Sequence, residues 1–357
     1  MKRLEALEGL RGYAVFLVFL THAFGLLIQK LYPVDPDQFS IYDSPSAALT
    51  VLVLFFRSHY GVDLFFVLSG LLMADIAIRR WPGARHFLAR RALRIYPAYL
   101  ASLVVVMAVL VQWFDRSFSA AEMAQNAGIL QGFFVLGIPA VNAVTWSLSY
   151  EVAFYLAVPL LALAWSGAPQ AAPTRTTSAA LIAAFALIVA LSAALPGAKT
   201  IYFAYFALFV PGLWLGLLEA EARRALAERI PASLAVLAWA SFELAVKLEG
   251  LSNRAPLYYV VSGMAGGLLV LKACDVKSGL AKLLTRRPAL WLGRHSYSFF
   301  LIHYIVLHAY ALILDDVVGA THRMLYAGAL VAGGFALSLV AARILYVLAE
   351  RFYFERR

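Results

Sequence analysis

The chain has 357 residues, of which 63% are hydrophobic and only 14% charged, and its mean hydropathy is +0.79. Soluble domains are roughly half apolar, so this composition excludes a water-soluble fold and defines an integral membrane protein. The single cysteine, Cys274, excludes an intrachain disulfide, and a net charge of +10 that membrane topology accounts for gives no reason to expect a nucleic-acid partner.

Ten stretches are long and apolar enough to span, predicting an all-α polytopic bundle in a single domain over residues 1–357. They are residues 12–29, 60–78, 94–113, 148–165, 178–195, 201–218, 232–248, 256–272, 295–314 and 326–349. Ala47–Phe56 and Ala127–Val141 are too short or too interrupted to cross alone and read as interfacial or re-entrant pieces. The first span is full length and contains His22, with Glu5 and Glu8 before it, so it reads as a retained helix rather than a cleaved signal. Residues 166–177 read as a flexible linker. The acidic, Pro-rich Leu31–Ser46 is suited to lie over an outward-facing cavity.

Basic residues set the expected orientation. With the N-terminus inside, 23 of the 30 Lys and Arg fall on the cytoplasmic side, in groups that include Arg79–Arg94, Arg223–Arg229, Lys272–Arg294 and the C-terminal arginines. Translocation leaves excess positive charge behind, so both termini are expected in the cytoplasm.

That topology assigns depths to the polar residues. Arg11 and His22 are eleven residues apart in the first span, on one helix face and roughly 16 Å apart along the axis. Arg11 is expected at the cytoplasmic interface and His22 near the midplane, with His303 at a comparable depth in the ninth span. An ionisable residue in a span points to function by default, although a snorkelling arginine and a packed histidine would also fit. The second span, with GVDLFFVLSG, is expected to put Asp63 near the outer face and Ser69 near the midplane. The fourth, with TWSLSYEVAFY, is expected to put Trp146, Ser147, Tyr150 and Glu151 near the outer end, where Ser147, Tyr150, Glu151 and Tyr155 share a face. Arg90, Arg91 and Arg94 form a basic cluster at the inner end of the third span. Guanidinium forks suit phosphates, but the positive-inside rule alone also predicts such a cluster.

The chain resembles the acyltransferase 3 family of membrane-bound acyltransferases. The resemblance rests on the Arg11-x10-His22 pair after LEGLRG, on GVDLFFVLSG, RRALRIYPAY and TWSLSYEVAFY, and on LGRHSYSFFLIH ending at His303, in family order over residues 7–303. It implies a ten-helix enzyme of the bacterial inner membrane that moves an acyl group, most simply acetyl, from cytoplasmic acyl-CoA to a hydroxyl of an extracytoplasmic or membrane-proximal glycan or glycolipid. The longer members' fused extracytoplasmic domain has no counterpart here, which favours direct acylation in the membrane site.

Joined to the depth assignments, the resemblance implies roles. Arg11 with Arg91 and Arg94 would hold CoA phosphates, His22 would act as general base, and Glu151 with Asp63, Trp146, Ser147 and Tyr150 would position the acceptor from outside. Ser69 and His303 are further candidates on the donor path. Ser69 could be a covalent nucleophile, but LSGLL also reads as a tight helix crossing; His303 could orient His22, bind the thioester or simply pack. His59, His86, His295, His308 and His322 read as structural, and no metal ligand set is expected. A lipid or small-molecule acceptor is the nearest alternative. A secondary transporter is less consistent, because repeated halves and matching broken helices are not visible.

Overall fold

The computed structural model describes residues 2–32, 34–35, 40–133, 136–165, 175–194, 203–252, 254–318 and 322–355, and among these it is all-helical, with no strand. Fifteen helices carry the fold. They are α1 (Lys2–Leu31), α2 (Ala47–Phe56), α3 (Gly61–Arg79), α4 (Ala84–Phe114), α5 (Ala120–Ala127), α6 (Trp146–Trp165), α7 (Arg175–Ala194), α8 (Phe209–Leu217), α9 (Ala220–Arg229), α10 (Ala232–Lys247), α11 (Pro256–Ala273), α12 (Gly279–Leu284), α13 (Arg287–Arg294), α14 (Ser296–Val317) and α15 (Arg323–Phe354). The last contains two π-helical turns, Ala329–Gly333 and Tyr346–Glu350.

A helix lies at each of the ten predicted spans, but not all of them cross alone. Among the described residues, eight helical segments are long and apolar enough, or nine when the bent pair Tyr205–Leu217 and Ala220–Arg229 counts as one. That pair turns through 108°. Arginines make the turn possible by occupying the carbonyls a continuing helix would have used: Arg79 donates to Gly216, Leu217 and Leu218, and Arg223 to Leu215. The seventh predicted span, α10, has 16 residues, about 24 Å of helix, which falls short of a bilayer core of about 30 Å.

Depth departs most from expectation. Parallel helices α1 and α14 give a ruler, since His22 meets His303 and, further along, Lys30 pairs with Asp315. Against that ruler, α3 starts halfway across: a Cβ on Gly61 would lie 2.3 Å from the Ala14 carbonyl oxygen in the middle of α1. The missing half of the crossing is α2, so Ala47–Arg79 forms one broken span. The short piece Ala47–Phe56 thus completes its neighbour instead of lying at an interface. Asp63 is therefore at mid-depth, not at the outer face, and Ser69 lies in the half nearer the start of α1.

The same displacement applies to α6. The Asn142 amide donates to the Leu301 carbonyl (2.7 Å), two residues before His303, so α6 also starts near mid-depth. The loop before it enters the bundle, where several of its polar groups find partners. Gln131 donates to Thr145 Oγ1 (2.8 Å), the Gly132 amide to Ser149 Oγ (2.9 Å), and Ser149 to the Ile129 carbonyl (2.7 Å). Irregular backbone at membrane depth is tolerated only when it is buried in protein in this way. This agrees with the re-entrant reading of Ala127–Val141, of which residues 134–135 lie outside the described set. Residues 166–174 of the expected linker lie outside it as well.

Helices α3 and α8 pack at backbone distance. A Cβ on Gly212 would sit 1.9 Å from the Val67 carbonyl oxygen, and one on Gly70 2.1 Å from that of Phe209. The LSGLL segment therefore is a tight crossing, with small residues letting two backbones touch. At the periphery, the apolar α7 is almost wholly outward-facing, as a lipid-exposed helix should be.

Candidate active site

The half-depth starts of α3 and α6 leave a cavity between them, α1 and the first turns of α14. It is narrow and partly open to solvent, with a volume of about 50 Å³. On α3 the lining residues Val62, Phe65, Phe66, Leu68, Ser69 and Leu72 lie on one side of the helix; Arg11, Ser147, Leu148, Glu151, Ser296, Tyr297 and Phe300 complete the wall. Arg11, Ser69, Ser147 and Glu151 are thus brought together. Ser69 Oγ donates to Glu151 Oε1 (3.2 Å), and the Tyr155 hydroxyl donates to the same oxygen. Arg11 Nε is buried without a hydrogen-bond partner, an open donor beside a polar cavity.

This geometry corrects the two-sided site. Glu151 was expected near the outer end and Arg11 at the inner interface, yet both face one cavity, because α6 starts at mid-depth and its second turn already lies level with Arg11. Asp63 is one residue off the lining stripe. It turns to α11, where it accepts a hydrogen bond from Ser262 (2.6 Å), and it is not a cavity residue. Trp146 and Tyr150 do not line the cavity either. Their rings pack with Tyr205, and Tyr150 also meets Phe66, Phe133 and Phe206, an aromatic core that leaves no open stacking face on the buried Tyr150.

The expected phosphate fork is rearranged too. Arg94 is ion-paired with Glu350, which is buried and also accepts from Ser298 Oγ (2.5 Å). Its guanidinium lies 4.6 Å from the Phe354 ring centroid and 5.3 Å from that of Tyr297. Arg91 donates to the Tyr353 hydroxyl (3.3 Å) and lies 5.7 Å from the Phe87 and Tyr155 ring centroids. Neither lines the cavity, whereas Arg90 remains exposed. Sequence reasoning missed Glu350. A lone acid amid apolar residues of the last span was the available signal, and one that should have prompted a search for its cation.

Beyond the closed end of the cavity lies a histidine pair. His22 Nδ1 is 3.0 Å from His303 Nε2, and His303 Nδ1 is 3.0 Å from the carbonyl oxygens of both Phe299 and Phe300. Carbonyls only accept, so His303 carries its proton on Nδ1 and offers the Nε2 lone pair. His22 must then donate from Nδ1. That leaves the lone pair of the neutral His22 ring on Nε2, the state a base requires. His303 is completely buried, stacked on Phe299 at 5.5 Å, while His22 stays partly accessible. His303 is thus hydrogen-bonded to His22 and is not among the residues lining the cavity.

The acyltransferase 3 family model, described as an acyltransferase domain, matches residues 4–343. This chain belongs to the acyltransferase 3 family. Among its relatives, BcsY of Komagataeibacter xylinus, which carries the name of a membrane-bound transacylase, is 27% identical over 98% of this chain and 82% of its own length. The acyltransferase MdmB of Streptomyces mycarofaciens is 26% identical over 98% of this chain and 91% of its own. The peptidoglycan O-acetyltransferase OatA of Listeria monocytogenes is 24% identical over 69% of this chain and 44% of its own. No solved structure matches the chain. As a member of this family the protein is a multi-pass membrane acyltransferase, and its chemistry is acyl transfer to a hydroxyl.

Proposed function

We propose that the protein takes an acyl group from cytoplasmic acyl-CoA and places it on a hydroxyl of a glycan or glycolipid at the bacterial inner membrane, with both termini in the cytoplasm and His22 as general base. The observation that carries this reading is the hydrogen-bond chain from the Phe299 and Phe300 carbonyls through His303 to His22, which leaves a lone pair on His22 Nε2. The glycan acceptor is supported by the likeness to OatA, a peptidoglycan O-acetyltransferase. The donor's sidedness is supported by the basic asymmetry along the chain.

In the proposed reaction the acceptor oxygen attacks the thioester carbonyl carbon while its proton passes to His22 Nε2. The new C–O bond forms, the C–S bond breaks, and His22 returns the proton to the departing thiolate, so the products are an ester and free CoA thiol. As His22 gains positive charge, its Nδ1–H bond to His303 strengthens and stabilises the imidazolium. Arg11 meets the polar part of the donor from the cavity wall, and Arg90 and Arg91 lie at the same end of the bundle for its phosphates. Glu151, held by Ser69 and Tyr155, balances the Arg11 charge and orients the groups around it.

The test is His22→Ala. Purified variant protein should keep its fold and donor affinity while transfer falls by about 10²- to 10⁴-fold, the usual range for a positioned base. Transfer at the wild-type rate would reject the role.

A further inference from the structure

The cavity wall nearest the histidine pair carries Phe300, with the Phe65 ring beside it. Phe65 and Phe300 both line the cavity, and their centroids are 6.5 Å apart in an edge-to-face arrangement. The Phe300 ring centroid is in turn 6.4 Å from that of His303, which is bonded to His22. From Arg11 toward the histidines, the order is therefore a cavity of mixed polar and apolar lining, the aromatic pair in its wall, and the histidine pair. We infer that Phe65 and Phe300 form a collar that sets the length of the acyl group the enzyme transfers, restricting it to acetyl and its nearest homologue. This inference rests on the reading of His22 as the base.

Packing on either side of the collar supports the restriction. Edge-to-face rings at this distance are in contact, so an acyl group passes only if one ring shifts. Phe65 is partly exposed and has room to shift, whereas Phe300 is buried. Beyond the collar the described side chains are packed ring on ring. His303 is stacked on Phe299 at 5.5 Å, Phe19 closes over both at 6.4 and 5.9 Å, and Phe335 packs behind Phe19 at 5.0 Å. A methyl group needs little displacement there; each added methylene must push into packed rings. One methylene in a fitted apolar site discriminates by roughly 10- to 200-fold, so two beyond acetyl should be excluded strongly.

The experiment uses inverted membrane vesicles carrying the full-length protein and its native acceptor, supplied with ¹⁴C-labelled acetyl-, propionyl-, butyryl- or hexanoyl-CoA, with label counted in the glycan and lipid fractions. Wild type should transfer acetyl at least tenfold faster than butyryl. Phe300→Ala and the milder Phe65→Leu should each raise the butyryl-to-acetyl ratio, by about tenfold or more in Phe300→Ala. Should Phe300→Ala fail to accumulate, Phe65→Leu on the partly exposed ring decides alone. A ratio unchanged in the variants that transfer acetyl, or wild-type vesicles that use butyryl as readily as acetyl, overturns the collar. His22→Ala run alongside separates the two claims: transfer surviving in it rejects the base, and an unchanged ratio in the phenylalanine variants rejects the collar alone.

Discussion

Arg94 and Glu350 form an ion pair that joins α4 to the π-helical turn of α15. The side chains are 13% and 0% exposed. Removing one partner from a buried pair leaves an uncompensated charge and costs about 3–5 kcal/mol, whereas replacing both with apolar groups is often neutral. Arg94→Ala should therefore lower the melting temperature of the solubilised protein sharply, and Arg94→Met with Glu350→Leu should restore most of it. A single variant as stable as wild type would show that the pair is not holding α15 in place.

His303 should matter through His22. His303→Ala removes the acceptor that fixes the His22 tautomer, so kcat should fall by about 10- to 100-fold while the donor KM changes little. His303→Asn, whose amide oxygen offers an acceptor on a shorter side chain, should recover part of the loss. Equal effects on kcat and KM from both variants would favour a packing role over a positioning one.

The membrane class and the positions of the helices were legible because hydropathy along one segment is a local signal. Depth was not. The start of a span was taken as the bilayer surface, but at Gly61 and Trp146 the helix begins inside the bundle, and only the packing of Gly61 on Ala14 and of Asn142 on Leu301 shows it. Facing failed for a related reason. Asp63, Trp146 and Tyr150 lie on helices that carry lining residues, and sequence cannot say which stripe meets the cavity and which meets Ser262 or Tyr205. The Arg94–Glu350 pair spans 256 residues of sequence and was likewise out of reach.

Gly212 tests the α3–α8 crossing. Gly212→Ala places a methyl group 1.9 Å from a backbone oxygen that no side-chain rotation can move away, so the helices must separate. Overpacking of this kind costs about 1–3 kcal/mol or more. Thermal melting followed by size-exclusion chromatography should show the loss in Gly212→Ala, while Ser69→Ala, next to Gly70, stays folded. Equal stability of the two variants would contradict backbone contact at Gly212.

Glu249, just past the end of α10, fastens the segment around Ile41–Asp43. It accepts from the Ile41 amide (2.6 Å), Ser40 Oγ (2.8 Å) and Arg57 Nη2 (2.7 Å). Partial burial pushes its carboxyl upward, but the Ile41, Arg57 and Ser40 hydrogen bonds outweigh this and hold it below the usual range. A carboxyl with a depressed folded pKa contributes stability above its unfolded value, about 4.3, and loses it as pH falls through the folded value. Protection of the Ile41 amide, taken relative to its intrinsic exchange rate, should fall as Glu249 is protonated in acid, and in Glu249→Gln it should already be low at neutral pH with little further acid effect. An acid loss of protection that persists unchanged in the variant would assign the titration to another group.

Orientation rests on the 23-to-7 division of basic residues, and labelling can test it directly. Three serines are natural first choices for single cysteines, but Ser166 lies outside the described residues, and Ser278 is buried and caps α12 through the Ala281 amide (3.1 Å). Ser40 is occupied in the Glu249 contact. Lys277, 81% exposed, and Asp316, exposed at the far end of α14, are better placed, and the native Cys274 is buried at 3% exposure, so background labelling should be low. Helices α1 and α14 run parallel, so Asp316 lies at the end of the bundle where Lys30 pairs with Asp315. With a membrane-impermeant maleimide, Lys277→Cys should react in inverted vesicles and not in intact spheroplasts, and Asp316→Cys should do the reverse. The opposite pattern would place Arg11, Arg90 and Arg91 on the outer side, away from any cytoplasmic acyl-CoA, and would require a donor on the other face of the membrane.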